Sequence, residues 1–530
     1  MVAPFAKRNR FNYKPDHLFT GKMGPLMPFI QFEVVPGDTF KVVADNMTRF
    51  QAMLSPAYAK IYTYTHFFFV PYRLLWDDWE DFITKGEDGT AAPNFPKISF
   101  PNGQNVGTLA DYFGLPTNEP AVGSTPARTV PMTVSALPFR AYALIYNEWY
   151  RNQNLQSEVG FSTASGADTT TNTTLLSRNW RPDYMTQNLP FRQRGPQVLA
   201  PLGSSAPVFS GPDNANVEQV MPYIEAIRFK REDGADVTSA SILGLSPAAA
   251  NSKIGTLRNF AGTTTGTSSK VYPINLYTDL SQATSASISD WRLAFQIQRL
   301  LEKNARGGAR YVEWLMSHFG VRCSDGRLQR PEYLGGGKSP VMISEVLQTS
   351  SSDTTSPQGN MSGHAFSVQQ SHSFTKSFDE YGIVIGIYSC MPKSLYYQGI
   401  RRSWLKDTPY DFYLPVLSHL SEQGTYNAEI YQTGVDATDK AIFGYNPIYE
   451  EYRHMYSTVS GEFKTTLDYW QFGRRWSSAP ALNSQFVTCT PTDAPFAVKN
   501  QDNLLITTTT RIRAVRPIPK HGTPGYIDHD

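Results

Sequence analysis

The sequence predicts a large, mainly β protein with antiparallel sheets, long inserted loops and a few short helices. Segments of strand length are rich in aromatic and β-branched residues, and they do not alternate with helices at the spacing of parallel βαβ units. The 37 prolines and 38 glycines favour many short strands joined by shaped turns. From these observations alone we expect a β-sandwich with insertions.

The most aromatic part of the chain is predicted to form a strand followed by a short helix. Residues 61–70 (IYTYTHFFFV) suit a strand, and Pro71 ends it because proline lacks a backbone N–H donor. Trp76, Trp79 and Phe82 then recur at spacings of three, which predicts one face of a helix. Other strands are predicted at residues 30–35, 39–43, 381–390, 463–470 and 504–515. The arginines of the last segment indicate an edge strand, where charges discourage unwanted pairing.

Two longer helices are predicted on either side of the middle of the chain. Ser135 and Pro138 open the first. The second lies within residues 287–319, where Ser287 and Asp290 suit a capping box and an apolar stripe follows. Gly307 and Gly308 are expected to interrupt this helix, because glycine lowers helix stability by about 1 kcal/mol relative to alanine.

Several collinear segments resemble the major capsid proteins of gokushovirus-like Microviridae, small tailless bacteriophages with circular single-stranded DNA. The clearest is HFFFVPYRLLWDDWEDFI, at residues 66–83. Others include YNEWYRNQNL (146–155), RPEYLGGG (330–337), YYQGIRRSW (396–404), YDFYLPVLSHLSEQ (410–423) and FGYNPIYEEYRHMYSTVSGEF (443–463). These segments cover roughly the first 155 and the last 200 residues, so the resemblance leaves the middle of the chain open.

The resemblance implies an eight-stranded antiparallel jelly roll whose product is a T=1 icosahedral shell of sixty copies. Residues 1–160 would form the first part of the jelly roll with a basic amino-terminal arm, and residues 285–530 the remainder. Residues 161–284 would be a surface insertion near the threefold axes, with its tip near 234–269. We expect the aromatic block and the 410–423 segment to divide between the core and subunit contacts.

The partners implied are the chain itself, the single-stranded DNA genome, a small basic DNA-binding virion protein and a host cell-surface receptor. The protein would be assembled in the bacterial cytoplasm and reside in the virion capsid. The sequence has no apolar run of the roughly 18 to 20 residues needed to span a bilayer, so insertion into a membrane is not predicted. The widely spaced Cys323, Cys390 and Cys489 are predicted to be reduced and buried.

A formal charge of +2 cannot neutralise a genome, so DNA contacts must depend on local charge. The arm carries Lys7, Arg8, Arg10 and Lys14 among aromatic residues, a composition suited to phosphates and unpaired bases. A solvated, poorly ordered terminus is the alternative.

The predicted insertion has few charged or aromatic residues near its tip. Lys253, Arg258 and Phe260 are its candidate receptor-facing side chains. A linker without receptor contact is the alternative for this region.

An alternative function is that of a β-sandwich glycan-binding protein or glycoside hydrolase. Asp77, Asp78, Glu80 and Asp81 lie among tryptophans, but adjacent carboxylates on a helix diverge. GGGKS at residues 335–339 lacks the earlier glycine of a phosphate-binding loop and is expected to be a turn. His364 and His372 are too isolated to predict a metal site. No cofactor, metal or catalytic residue is predicted, and the chain is not expected to be an enzyme.

Overall fold

The computed structural model describes residues 8–120, 127–196, 288–307, 329–349 and 358–520, together with short strands and single positions elsewhere. The chain divides into two compact units. The first comprises Met1–Arg192 and Asn304–Asp530, and the second comprises Gln193–Lys303. The predicted insertion, residues 161–284, overlaps the second unit, but its first residues, 161–192, belong to the first unit.

Strands dominate the described part of the chain. In chain order they are β1 (Asn9–Tyr13), β2 (Asp16–Gly21), β3 (Met27–Val34), β4 (Thr39–Phe50), β5 (Ile61–Pro71), β6 (Lys97–Phe100), β7 (Met132–Ser135), β8 (Val208–Ser210), β9 (Phe229–Arg231), β10 (Ile242–Leu245), β11 (Leu257–Phe260), β12 (Val271–Pro273), β13 (Leu276–Thr278), β14 (Glu332–Pro340), β15 (Met342–Leu347), β16 (Met361–Ser377), β17 (Gly382–Pro392), β18 (Glu422–Tyr426), β19 (Ile442–Pro447) and β20 (Leu504–Arg516). The helices are α1 (Trp79–Thr84), α2 (Leu109–Tyr112), α3 (Leu137–Ile145), α4 (Ile288–Gly307), α5 (Asp436–Asp439), α6 (Glu450–Arg453) and α7 (Ser484–Val487).

Two antiparallel sheets form the centre of the first unit. One sheet has the order β1, β20, β4, β16, β15, with β2 also pairing β20. The other has the order β14, β5, β17, β3. The phenyl rings of Phe67 and Phe374 lie 5.1 Å apart between the two sheets, and Thr48 and Tyr388 share a 2.7 Å hydrogen bond across the same core. The prediction of a mainly β protein with antiparallel sheets is confirmed.

Strand β5 has no solvent-facing side, which explains its run of apolar residues. Phe67 and Phe69 belong to the core between the sheets, whereas Phe68 and Val70 belong to a second core. Successive side chains of a strand point to opposite faces, so a strand covered on both faces reads as continuously hydrophobic rather than alternating. Helix α3 contributes Phe139 to the second core.

The short helices near the aromatic block follow the predicted signals. Helix α1 places Phe82 4.8 Å from Trp76, ring centre to ring centre. Pro138 lies in the first turn of α3, as expected for a residue that has no N–H to satisfy. Helix α4 ends at Gly307, where the glycine pair predicted an interruption. Ser287, the predicted cap of α4, lies outside the described residues.

Three predictions about the elements are wrong. Residues 463–470 form helical turns rather than a strand, and Tyr58 packs against both Phe463 and Trp470. Strand β20 is interior rather than at an edge, because β1 and β2 pair with one side of it and β4 with the other. The glycines of GGGKS lie in β14 instead of a turn, and a Cβ on Gly336 would lie 2.0 Å from the Thr65 carbonyl oxygen.

The second unit contains six described strands in three antiparallel pairs. Strand β8 pairs with β13, β9 with β12, and β10 with β11. Most of α4, up to Lys303, also belongs to this unit.

Candidate assembly surface

A continuous stretch of the first unit exposes large apolar side chains that a monomer would be expected to bury. Trp404 and Val416 are each 82% exposed and Tyr410 is 73% exposed. We call this the aromatic surface, and its members are Trp404, Tyr410, Phe412, Tyr413, Leu414, Val416, Leu420 and Tyr452. Soluble monomers rarely expose apolar patches of this kind unless the patch binds a partner.

The backbone beneath the aromatic surface is held by short helical turns rather than by a sheet. Turns of the 3-10 type occur at Arg402–Trp404, Pro409–Asp411 and Pro415–His419. The Asp411 carboxylate accepts hydrogen bonds from the Thr408 hydroxyl at 2.7 Å and the Thr408 backbone N–H at 2.8 Å. The bond from the Thr408 hydroxyl is the main reason that the pKa of Asp411 lies below its ordinary value. These capping contacts fix the segment that carries the exposed rings.

The buried side chain of Lys406 contacts two rings of the aromatic surface. Its side chain is 7% exposed, and its ammonium donates a 2.7 Å hydrogen bond to the Tyr452 hydroxyl. The same ammonium lies 4.2 Å from the centre of the Tyr452 ring and 5.0 Å from that of Phe412. Glu451 is 3.7 Å away and balances its charge. A buried cation under aromatic rings stabilises their positions through cation–π attraction.

The start of α6 supplies a second support. Tyr449 is buried with a left-handed backbone φ of 62°, and its hydroxyl accepts a hydrogen bond from the Leu414 backbone N–H at 3.3 Å. The rings of Tyr413 and Tyr449 meet edge to face at 5.1 Å. The exposed residues 413 and 414 are therefore fixed to an element distant in sequence.

A buried charged group anchors the beginning of the segment. The Arg402 guanidinium donates to the Gly424 carbonyl at 2.7 Å and to the Glu429 carboxylate at 3.0 Å. The Tyr184 hydroxyl donates to the other Glu429 oxygen at 2.6 Å. Burial raises the pKa of Glu429, and the Arg402 charge opposes that rise. Breaking such a pair is expected to be costly, since one charge would be left buried alone.

The size of the aromatic surface suits contact with another protein. Phe, Tyr and Trp side chains each bury about 150–250 Å². At exposures between 52% and 82%, the five aromatic members present roughly 600 Å², and Leu414, Val416 and Leu420 add to this area. A standard interface buries about 800 Å² on each partner and has an apolar, aromatic-rich centre. The area and apolar composition of the aromatic surface therefore favour association with another protein.

The aromatic block and the 410–423 segment, which were expected to divide between the core and subunit contacts, differ in burial. Phe67 is fully buried and Phe68 is 2% exposed, so this part of the block belongs to the core. Tyr410, Phe412 and Val416 are exposed and available for contact with another subunit. Trp404 was part of a family-like segment but was not predicted as a contact residue. The feature that could have indicated its exposure is its position close to Arg401 and Arg402, outside any amphipathic pattern.

Of the predicted DNA-binding residues, Arg10 lies in β1, and Arg8 and Lys14 directly flank that strand. Arg10 pairs with Val515 in the register of β1 with β20. Arg8, Arg10 and Lys14 are exposed, and Lys7 lies outside the described residues. The arm from Asn9 to Tyr13 is therefore part of a sheet rather than a loose tail.

The predicted receptor-facing residues belong to the second unit. Arg258 and Phe260 lie in β11 and are paired with Gly244 and Ile242 of β10. Lys253 lies outside the described residues.

The residues considered for enzyme chemistry make structural contacts. Asp77 accepts a 2.7 Å hydrogen bond from the Thr163 hydroxyl, and Asp78 accepts one from Ser165. His364 shares a 3.1 Å contact with the Ser344 hydroxyl. Burial lowers the pKa of His372. Within the described ranges, no group of three acidic, histidine or cysteine residues could hold a metal ion.

Two of the three cysteines are free and buried, as predicted. Burial raises the pKa of Cys390 far above its ordinary value and that of Cys489 to about 12. Thiols with such pKa values are unreactive near neutral pH. Cys323 lies outside the described residues.

Among the helices that the structure describes, none is both long and apolar enough to cross a bilayer.

Comparison with known proteins extends the likeness over nearly the whole chain. The family described as capsid protein (F protein) matches residues 2–526. Capsid protein VP1 of Chlamydia phage 1 is 36% identical over 98% of this chain and 96% of its own length. Capsid protein VP1 of Bdellovibrio phage phiMH2K is 35% identical over 98% and 95%, respectively. That of Spiroplasma virus 4 is 33% identical over 95% and 92%. The similarity therefore includes the middle of the chain.

Proposed function

The chain belongs to the phage capsid protein (F protein) family, in which its role is structural rather than enzymatic, and from this premise we propose that sixty copies form a T=1 icosahedral shell around circular single-stranded DNA. In this proposal, eight of the strands in the two large sheets form a jelly roll, and the remaining strands belong to extensions of that core. The antiparallel pairing of both sheets supports it. The proposed location is the virion capsid, with assembly in the bacterial cytoplasm.

The aromatic surface is the observation that carries the proposal of self-association. Its Phe412 and Tyr452 rings are held by Lys406 and its Tyr413 ring by Tyr449, so these side chains lose little freedom on contact. In a symmetric shell the same patch recurs on every copy, and each contact is repeated around the particle.

Assembly is tested by replacing exposed members of the aromatic surface. The variant Trp404→Ser/Val416→Ser should fold normally, because both side chains are 82% exposed, but should fail to form particles. Val106→Ser is the matched control, since Val106 is 70% exposed and lies outside the aromatic surface. Negative-stain electron microscopy and sedimentation give the readout. Normal particles from the double variant would contradict the proposed interface, and wild-type chains that stay monomeric at high concentration would contradict self-assembly.

The proposed DNA contacts use the amino-terminal arm with a small basic virion protein as its companion. Arg8, Arg10 and Lys14 are exposed along and beside β1, which supports contact with phosphates. The variant Lys7→Ala/Arg8→Ala/Arg10→Ala is expected to lower the DNA content of particles while the chain still folds. Arg513→Ala provides a control on the neighbouring strand β20. Particles of the triple variant with wild-type DNA content would exclude the arm from packaging.

The proposed host contact belongs to the insertion at residues 161–284, with 234–269 nearest its tip. The separation of residues 193–303 as a compact unit supports an independent binding element. Deleting residues 234–269 should leave particle formation intact and reduce adsorption to host cells. Particle counts by microscopy and the unadsorbed fraction after mixing with cells measure the two effects. Unchanged adsorption would remove the receptor from this proposal.

A further inference from the structure

A groove with basic and tyrosine side chains lies at one end of the central sheets. Its deeper part encloses about 340 Å³ and is lined by Lys60, Tyr62, Tyr64, Arg181 and Lys393, among others. A wider part of about 570 Å³ continues past Lys60 and Lys393 to Tyr58. We call the two parts together the basic groove. Volumes of this order are typical of small-ligand sites.

Two lysines of the basic groove are held next to each other by the sheet. Lys60 directly precedes β5, Lys393 directly follows β17, and the Lys393 backbone N–H donates to the Lys60 carbonyl at 2.8 Å. Both side chains are exposed. Like charges on directly adjacent strands repel, so this arrangement is unfavourable until an anion lies between them.

The other charges of the groove do not cancel this positive pair. Among the described residues, neither lysine forms a salt bridge, and Arg181 forms none either. The Asp183 carboxylate, which also lines the groove, already accepts hydrogen bonds from the Tyr396 hydroxyl at 2.9 Å and from its own turn. Glu345 lies only along the wider part. A negative ligand is therefore favoured in the deeper part.

A buried tyrosine forms part of the groove wall. Tyr64 is 7% exposed, and its hydroxyl is enclosed by the protein. Arg181 lies beside the hydroxyl, and the Arg178 guanidinium lies 4.2 Å from the centre of the Tyr64 ring. Burial raises the pKa of Tyr64 despite both arginines, so the hydroxyl keeps its proton and adds no negative charge to the groove.

The wider part of the groove presents a fixed aromatic ring. Tyr58 is 63% exposed, while one side of its ring stacks on Trp470 at 5.9 Å and 21°. The Tyr58 backbone N–H donates to the Trp470 carbonyl at 2.7 Å. The Phe463 ring also lies 5.9 Å from that of Tyr58, and a ring held by two aromatic neighbours while remaining 63% exposed is suited to stacking with an unpaired base.

We propose that the basic groove binds a segment of single-stranded DNA, with phosphates at Lys60, Lys393 and Arg181 and a base stacked on Tyr58. This inference rests on the proposed function, which supplies single-stranded DNA as the packaged polymer. It assigns that polymer a second contact, separate from the amino-terminal arm. No local sequence pattern indicated this site, since Lys60, Arg181 and Lys393 are far apart in the chain.

Binding is tested with the unassembled full-length chain and a short fluorescein-labelled oligothymidine, followed by anisotropy. Lys60→Ala/Lys393→Ala should weaken binding at least about tenfold at low salt and reduce the slope of log affinity against log salt by about 1.4, since each phosphate contact contributes about 0.7. Lys440→Ala/Lys499→Ala removes the same charge elsewhere and should change neither quantity. Equal losses in both double variants, or none in the first, would overturn the proposal.

A single substitution separates the base contact from the phosphate contacts. Tyr58→Ala should weaken oligothymidine binding roughly 5- to 100-fold with little change in salt slope, because stacking is lost. Tyr64→Phe is the control at a tyrosine of the groove wall, and it should leave the affinity unchanged because the Tyr64 hydroxyl is enclosed by the protein. Wild-type affinity in Tyr58→Ala would contradict the assigned base contact.

Competition by inorganic phosphate distinguishes a DNA site from a general anion site. Oligothymidine should bind far more tightly than inorganic phosphate or duplex DNA of equal charge. Equal displacement by free phosphate would identify a simple anion site and overturn the proposal. Normal particles with wild-type DNA content and wild-type oligonucleotide affinity in Lys60→Ala/Lys393→Ala would reject this inference alone. The failure of wild-type chains to form particles would reject the proposed function instead.

Discussion

The aromatic strand β5 and the aromatic surface have similar compositions but opposite environments. Phe67 is fully buried between two sheets, whereas Trp404 is 82% exposed on short helical turns. In β5, neighbouring strands satisfy the backbone on both sides, and the rings fill two cores. In the 402–420 segment, the Asp411 carboxylate caps a backbone N–H, and the Lys406 ammonium holds the Phe412 and Tyr452 rings. Aromatic content alone therefore does not distinguish packing within a chain from packing between chains.

The largest expected effect on stability is in β5. Phe67→Ala should lower the free energy of unfolding by about 3–5 kcal/mol, because a fully buried ring leaves a cavity that the sheets cannot fill. Phe412→Ala, on the aromatic surface, is the matched change at a ring that is 56% exposed. Urea unfolding of the unassembled chain measures both. Similar losses for the two variants would abolish the distinction between the regions.

The next effect is a pH dependence that originates in β5. Burial, Arg178 and His372 lower the pKa of His66 to about 4, below its value of about 6.5 in the unfolded chain. The unfolded chain therefore takes up the proton first as pH falls. The contribution of neutral His66 to the free energy of unfolding is fully present above pH 6.5. About 3 kcal/mol of this stability should be lost as the pH falls from 6.5 to 4.

His66→Phe tests this assignment, since it retains a ring beside Phe68 and Tyr150 but cannot titrate. Unfolding free energies measured across this pH range should fall less steeply in the variant than in the wild type. Parallel pH profiles would show that another group is responsible.

A smaller effect is expected beneath the aromatic surface. Lys406→Ala should lower the free energy of unfolding by about 1–2 kcal/mol, because it removes a hydrogen bond to Tyr452 and leaves Glu451 without its cation. Lys440→Ala is the control, since its ion pair with Asp436 is solvent-exposed and should contribute little to stability. Chemical denaturation measures both changes. Equal destabilisation by the two variants would argue against a supporting role for Lys406.

The smallest effect on folding is expected at the exposed rings themselves. Tyr410→Ser should change the free energy of unfolding by less than about 0.5 kcal/mol, because Tyr410 is 73% exposed. It should nevertheless reduce particle yield if the aromatic surface is a subunit contact. Microscopy of assembled material provides the second measurement. A large loss of stability in the unassembled chain would place Tyr410 in the fold rather than in an interface.

Local sequence patterns were sufficient for elements that local chemistry controls. Strands β5, β17 and β20, the start of α3 and the end of α4 follow β-branched runs, Pro138 and Gly307. The segment at 463–470 was mispredicted because its apolar residues pack around Tyr58, a contact across about 400 residues that no local pattern contains. The interior position of β20 was missed for the same reason, since the distant amino terminus pairs with it.

The sequence by itself determined that the chain is mainly β, that its sheets are antiparallel and which family it resembles. These properties depend on side-chain periodicity, turn chemistry and collinear motifs, all of which can be read along the chain. Only the tertiary structure decided which aromatic residues are buried and which are exposed to solvent. It also brought Lys60, Arg181 and Lys393 to one groove. Burial and local charge depend on contacts between distant residues, and these exist only once the sheets have packed.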